Sequence, residues 1–410
     1  MKTEEILFPN VHKANKQLLK GLKDSLNHGE WMMCLGAGVS ISVGLPNWYD
    51  LIAQLTARLL PIEMTQIHQS NDEVDVTNIN DDYFDISYYK DINDLYNINF
   101  FDNEFFEKIN LSIDGDYRKV FEGINVLETA EYIRNFIKNM IGDLGEDIDE
   151  NKLEKQINWH MNHFIQEVCK SKFTNNMKSK KVKNSTLGAV ARLMKKGKES
   201  IIHNVITYNY DNLLEEYLRK NCNCPDSKVH SIVKSDELHD LNTTNEWNIY
   251  HVHGRVPVVE HPGESMSETV ILTETDYYKE ERINYSWTNI VQSYAIARAN
   301  LIFIGFSGTD YNFRRIIKYV EQNKLKTHQR YIFFLVDDIV AAIFRRETEK
   351  GIKLSTCIEE MTNSTNNRFT FEKYFINYII HAQTLYWKGH GLKVIWSSIA
   401  ELASDLESIH

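Results

Sequence analysis

What the chain is short of narrows its class first. Of 410 residues only 6 are proline and 5 are cysteine. So few prolines exclude a Pro-rich linker or stalk. The cysteines (Cys34, Cys169, Cys222, Cys224 and Cys357) are odd in number and scattered, which fits reduced thiols rather than a disulfide framework. Cys222-Asn223-Cys224 is the one close spacing, and a single pair does not supply the four ligands of a structural zinc. No run approaches the roughly 20 apolar residues of a membrane helix. The opening residues, MKTEEILFPNVHKANKQLL, hold no secretory apolar stretch. A cytoplasmic protein without a membrane segment is therefore expected. Net positive charge is lacking too: at a formal net charge of −11 there is no global field for nucleic acid, and direct nucleic-acid binding is not expected. The one basic stretch, Lys170 to Lys198, reads as a solvated face or a partner contact.

What is present suits a globular protein. A hydrophobic share of 42% and a charged share of 25% are ordinary. The length allows one large α/β domain with an insertion, or two to three smaller ones. The periodicity predicts a helix from Asn15 to Leu26, closed by Gly29. A buried strand over Trp31–Leu35 then runs into Gly36-Ala37-Gly38, and a helix from Trp48 to Leu60 follows. Strand, glycine loop and helix in that order begin a nucleotide-binding α/β fold. The character then changes over 62–184. An Asn-, Asp-, Tyr- and Phe-rich piece at 71–116 precedes two helical patterns, Val126–Ile141 and Leu153–Cys169. Alternation resumes with strands at Ile201–Thr207, Asn248–Val252, Val270–Leu272, Leu301–Ile304, Tyr331–Val336 and Leu392–Ile395. Helices are expected at Asp211–Lys220, Ile283–Arg298, Tyr311–Gln322 and Ser398–Leu406. Short strands rich in Ile, Val, Phe and Leu predict a parallel sheet covered on both faces.

Four clusters sit at the ends of these strands. Gly36-Ala37-Gly38-Val39-Ser40, followed by Gly44-Leu45-Pro46, is the kind of loop that brings backbone N–H groups to a diphosphate. Tight turns also use glycine for steric reasons alone. Thr207-Tyr208-Asn209-Tyr210-Asp211 puts polar residues at the ligand-binding edge of an open sheet, although a helix cap accounts for one of them. His251-Val252-His253-Gly254 offers an imidazole suited to proton transfer, where a structural histidine is the plainer reading. Gly305-Phe306-Ser307-Gly308-Thr309-Asp310 follows an apolar strand and fits a ribose or a phosphate almost as well as it fits a plain turn.

The order of these clusters resembles the sirtuin fold family over roughly Trp31–Trp48 and Ile201–Ile317. The stretches VILTETDY and GFSGTDYNF are similar to its prokaryotic branch, which includes NAD-consuming effectors of anti-phage defence. The resemblance implies a Rossmann-like α/β domain over 13–61 and 185–410 and a mainly helical insertion or cap over 62–184. It implies Gly36, Ala37, Gly38 and Ser40 at the NAD phosphates and the adjoining ribose, with Pro46 and Thr207 also at the cofactor. Asn209 and Asp211 would line the nicotinamide-ribose pocket, and both are expected to be catalytic, Asn209 by orienting the water and Asp211 by stabilising the developing charge or the nicotinamide amide. His253 would be the catalytic base, Gly305 and Ser307 would meet the adenosine-side ribose, and Asp310 would also bind the cofactor. His251 has no catalytic counterpart and is taken as a strand residue.

Departures from the deacylating members matter as much. Between Gly254 and Gly305 there is no cysteine, so the family's zinc module and any metal are expected to be absent. Tyr208 stands where a glutamine is usual, and Tyr49 where an arginine is common. Hydrolysis of NAD to ADP-ribose and nicotinamide is then favoured. NAD-dependent deacylation, or a non-enzymatic NAD- or ADP-ribose-binding module, are the alternatives. For partners, the resemblance implies a homo-oligomer and a separately encoded HerA-type ATPase.

Overall fold

The computed structural model describes residues 2–56, 125–142, 149–173, 176–195, 202–237, 246–261, 266–267, 269–283, 286–306, 308, 310, 313–315, 317–318, 328–341 and 367–409. Ser307, the 71–116 region and most of the helix expected at Tyr311–Gln322 lie outside them. The chain divides into two compact units. One is Met1–Gly44 with Thr174–Arg255 and Ile283–His410; the other is Leu45–Phe173 with Val256–Arg282. The boundaries thus fall at Gly44 and Phe173, and the stretch after the His253-Gly254 turn groups with the second unit.

The first unit is built on seven strands. They are β1 (Trp31–Leu35), β2 (Ile202–Thr207), β3 (Val229–Ile232), β4 (Trp247–His251), β5 (Asn300–Ile304), β6 (Arg330–Leu335) and β7 (Lys393–Ser397). Their order across the sheet is β3-β4-β2-β1-β5-β6-β7, and every neighbouring pair is parallel. This is the expected Rossmann-like α/β fold. Short runs such as Trp31-Met-Met-Cys-Leu35, buried at every position, form interior strands because both faces of a parallel sheet are covered.

On one face Met32, Cys34, Phe303, Phe334 and Trp396 share a core with Val291 and Ala295 of the helix Trp287–Arg298. Ile376, Ile380 and Trp387 of the helix Asn367–Gly389 join the same core. The helix Pro9–Ser25 lies on the other face, where a Cβ on Gly21 would come 3.9 Å from the Tyr331 hydroxyl. That helix also closes the sheet edge. Asn15 donates to the carbonyl of Trp396 at 2.5 Å and accepts from its N–H at 2.7 Å, so one side chain satisfies the groups a further strand would take.

The expected strand at Val270–Leu272 does not form. The backbone N–H groups of Leu272 and Thr273 donate to the Asp276 carboxylate at 3.2 and 2.9 Å, and Thr273 Oγ1 accepts from the Asp276 N–H at 3.3 Å. The stretch is a capping box for the helix Glu274–Arg282. Donors tied to a cap are lost to a sheet ladder. Among the described residues, β3, whose VHSI is short and half polar, and the helices Thr186–Met194, Glu274–Arg282 and Asn367–Gly389 are among the elements that the periodicity does not predict.

In the second unit the described residues are helical at 48–56, Val126–Gly142, Glu150–Lys172 and Glu274–Arg282. Asn162 and Gln166 of the long helix donate to the carbonyls of Ser267 and Pro257, each at 2.7 Å. Two amides one helical turn apart thereby hold an irregular stretch against that helix. Pro46 belongs to this unit, one residue before Asn47, which caps the helix at 48–56 by accepting the N–H of Asp50 at 2.8 Å. Among the described residues no helix is long and apolar enough to cross a membrane.

Candidate active site

The described site candidates of the first unit lie where strands end. Leu35 pairs with Thr207 and with Ile304, and Thr207 pairs with His251. The last residues of β1, β2, β4 and β5 therefore stand in one row. The loops carrying Gly36, Asn209, His253 and Gly305 leave the sheet at the same level. After β1 the chain turns toward β2 on one side, and after β5 toward β6 on the other. Such a switch point, at the carboxyl ends of the strands, is where open α/β sheets hold ligands.

The β1 and β5 loops meet backbone to backbone. Gly36 and Gly38 donate their N–H groups to the carbonyls of Ile304 and Gly305, both at 3.0 Å. A Cβ on Gly36 would lie 2.4 Å from the Gly305 oxygen, and one on Gly305 only 2.6 Å from the Val39 nitrogen. Gly305 also has a φ of +64°, which side-chain-bearing residues rarely adopt. The fold itself therefore requires these glycines, and both N–H groups are used within it.

The β2 loop is polar and tied to the β1 loop. Asn209 Nδ2 donates to the Gly36 carbonyl and to Ser40 Oγ, both at 3.0 Å. A carbonyl can only accept, so the amide nitrogen must face Gly36 and the amide oxygen is turned the other way. Ser40 in turn donates to Asp211 Oδ2 at 2.6 Å, and Asp211 Oδ1 accepts from the Leu213 N–H at 3.1 Å. The Ser40 hydroxyl is thus directed into the protein. Asp211 does two jobs: it starts the helix Leu213–Asn221 and anchors Ser40. Burial pushes its carboxyl above the ordinary range and the nearby Glu215 adds to this, while the Ser40 and Leu213 hydrogen bonds and His251 pull it back. Thr207 accepts from the Asn209 N–H at 3.1 Å and so shapes the same turn.

His251 and His253 differ in surroundings despite their spacing of two. The fully buried His251 places Nε2 2.7 Å from Glu215 Oε1 and Nδ1 3.4 Å from the Asn209 carbonyl. Glu215 also accepts from the Ser231 hydroxyl. Burial pushes the Glu215 carboxyl up, yet the charge and hydrogen bond of His251, the Ser231 bond and the Arg255 charge outweigh it and hold the group well below the carboxylate range. His253 is 2% exposed, with Nε2 3.6 Å from Asp310 Oδ2. The Tyr208 ring stands edge-on to it, centroids 5.0 Å apart. Tyr208 is itself fixed by donating to Gln292 Oε1 at 2.5 Å, and burial keeps its hydroxyl far from ionisation.

Among the expected site residues, the structure thus ties Gly36, Gly38, Ser40, Thr207, Asn209, Asp211 and Gly305 into one continuous set. Ala37 lies within the same glycine loop, between Gly36 and Gly38. His253 and Asp310 form a neighbouring pair. Pro46 belongs to the second unit, and Ser307 lies outside the described residues. Sequence reasoning missed Glu215, whose signal was available: with Asp211 and Leu218 it falls at helical spacing on the stripe that the apolar pattern buries. It also missed Gln292, which carries no motif, and gave Tyr208 no place beside His253 although it lies within the β2 cluster. Among the described residues no group of three His, Cys, Asp or Glu side chains is arranged to hold a metal ion.

Compared with protein families, residues 203–357 match the SIR2-like domain, which supports a sirtuin-like relationship. The match takes in the loops after β2, β4 and β5; the glycine loop after β1 lies before it and joins them through the contacts above. No curated protein matches the chain significantly.

Proposed function

We propose, from the premise of a SIR2-like domain, that the chain is an NAD+ glycohydrolase. SIR2-like domains are as a rule NAD-dependent, which supports an NAD-linked activity. The observation that carries the finer reading is the row of strand ends. Asn209 and His253 leave the sheet on adjacent strands, beside a switch point suited to a dinucleotide. A module that only binds needs neither a base nor a water-orienting amide.

In this reading the bond between the ribose C1′ and the nicotinamide nitrogen breaks, and its electron pair leaves with nicotinamide. The cation left on the ribose is attacked at C1′ by a water oxygen. The Asn209 amide oxygen accepts a hydrogen bond from that water. Its geometry is set in advance because the amide nitrogen is held by Gly36 and Ser40. Preset polar contacts of this kind contribute about 2–4 kcal/mol. His253 takes the proton from the water or from a ribose hydroxyl, worth roughly 10²–10⁴-fold. Asp211 works through Ser40 as a positioning residue. The products are ADP-ribose, nicotinamide and one proton. With no cysteine between Gly254 and Gly305 to build the deacylases' zinc module, water rather than an acyl-lysine is the acceptor.

Purified wild type, Asn209→Ala and His253→Ala should be compared for NAD+ loss by chromatography. Both variants should fall by about 10²-fold or more while their thermal midpoints stay close to wild type. Undiminished NAD+ loss in both would remove these roles, and turnover strictly dependent on acetylated peptide would make the chain a deacylase. NAD+ depletion in anti-phage defence, self-assembly and a HerA-type ATPase partner complete the proposal. Co-purification with such an ATPase, and survival of phage-challenged cells, test that setting.

A further inference from the structure

Asp310 does more than start a helix. Its Oδ1 accepts the Phe313 N–H at 2.7 Å, which caps the turn at 313–315. Its other oxygen, Oδ2, points back toward the β4 loop and stands 3.6 Å from His253 Nε2. That is too long for a hydrogen bond and short enough for a strong charge interaction where water is scarce. His253 is 2% exposed and Asp310 13%. Burial alone disfavours an imidazolium, and a base buried this deeply would accept a proton poorly near neutral pH; a neighbouring carboxylate offsets that cost.

We propose that Asp310 is the positioning residue of His253. Its carboxylate favours the imidazole proton on Nε2, the nitrogen it faces, and stabilises the imidazolium that forms when the ring takes a second proton. The inference rests on the hydrolase reading for its chemical use, but the pairing itself does not. The charged and titratable groups around His253 can be named element by element. Asp310 comes from the β5 loop. Tyr208, from the end of β2, stays neutral in its buried position. On the histidine's own loop, His251 is paired with Glu215, and the Arg255 charge also acts on that carboxylate. Asp310 thus places an anion in ion-pair range of His253.

The substitution Asp310→Asn separates the two jobs of the side chain. Its amide oxygen still caps Phe313 while the charge is gone. Asp310→Ser caps in the same way and serves as a second uncharged variant should the first fold poorly. The full-length protein, labelled with ¹³C and ¹⁵N in its histidines, is titrated by NMR, with the His253 signals assigned by their loss in His253→Ala. The expected result is a His253 midpoint about one pH unit lower in the uncharged variants. Their neutral-form nitrogen shifts should move from an Nε2–H tautomer toward a mixture. An unchanged midpoint and tautomer, or a wild-type His253 that does not titrate between pH 4 and 9, overturns the proposal.

This readout needs no turnover, so it fails separately from the hydrolase reading. If wild type does not hydrolyse NAD+ the function falls, and if His253→Ala hydrolyses it at the wild-type rate the catalytic role of His253 falls, whereas a shifted midpoint keeps the pair. Where hydrolysis is measured, the acid limb of kcat should move down by the same amount and KM should hold. A merely structural role would not produce that split.

Discussion

Two neighbouring stretches of one sheet edge are built on opposite principles. Where β1 meets β5, side chains are missing: Gly36, Gly38 and Gly305 let two backbones touch. Where β2 meets β4, side chains crowd in: Asp211, Glu215 and His251 are buried, and half-buried Asn209 is joined to them. The first arrangement is explained by sterics alone. The second needs more. Buried polar groups are costly unless paired, and an apolar core of the same volume is often as stable. A glycine motif at a strand end is therefore weak testimony to a ligand, and a linked polar set beneath an open edge is stronger.

The contrast can be broken at either end. The largest effect is expected at the glycine junction. Gly305→Ala places a Cβ 2.6 Å from the Val39 nitrogen on a residue with φ of +64°. Strain and overpacking together should cost about 2–4 kcal/mol in denaturant unfolding, with activity falling in step. A loss near zero would mean that the two loops are free to part, and the steric account would go.

Next comes Glu215→Gln. It removes one partner of a buried pair, which should cost about 3 kcal/mol at neutral pH. The sign of the pH dependence follows from the native carboxyl lying below its unfolded value. The unfolded chain then binds more protons as pH falls, so the stabilisation is present above the ordinary carboxylate range and drains away toward acid. Wild type should lose thermal stability between about pH 5 and 3 more steeply than Glu215→Gln, because the variant lacks this group. Parallel melting curves across that range would show that the pair contributes nothing through ionisation.

The smallest change is Tyr208→Phe. The ring stays against His253 while buried Gln292 loses a donor, at about 1 kcal/mol. Its NAD+ turnover should remain within a few-fold of wild type, and a larger drop would give the hydroxyl a chemical role.

Much of this edge was legible in the sequence because it is local. Apolar runs of four to six residues each ending in a glycine or polar cluster identified β1, β2, β4 and β5 and put the candidate residues just beyond them. Less of the rest could be read. Val270–Leu272 has a strand's composition, yet its N–H groups go to Asp276, three to four residues on, and capping won over propensity. Asp310 looked like a ligand contact within a glycine-containing loop, whereas its neighbour in space is a histidine 57 residues earlier in the chain.

By itself, then, the sequence determined that β1, β2, β4 and β5 form, which residues stand at their ends, and that no net positive field or long apolar span exists. These depend on side-chain type and on spacing along the chain. Only the tertiary structure decided the strand order, the meeting of Gly36 with Gly305, the pairing of His251 with Glu215 and of His253 with Asp310, and the inward turn of Ser40. The reason is physical. Each of those contacts joins residues tens to hundreds of positions apart, and their partners are chosen by register across the sheet.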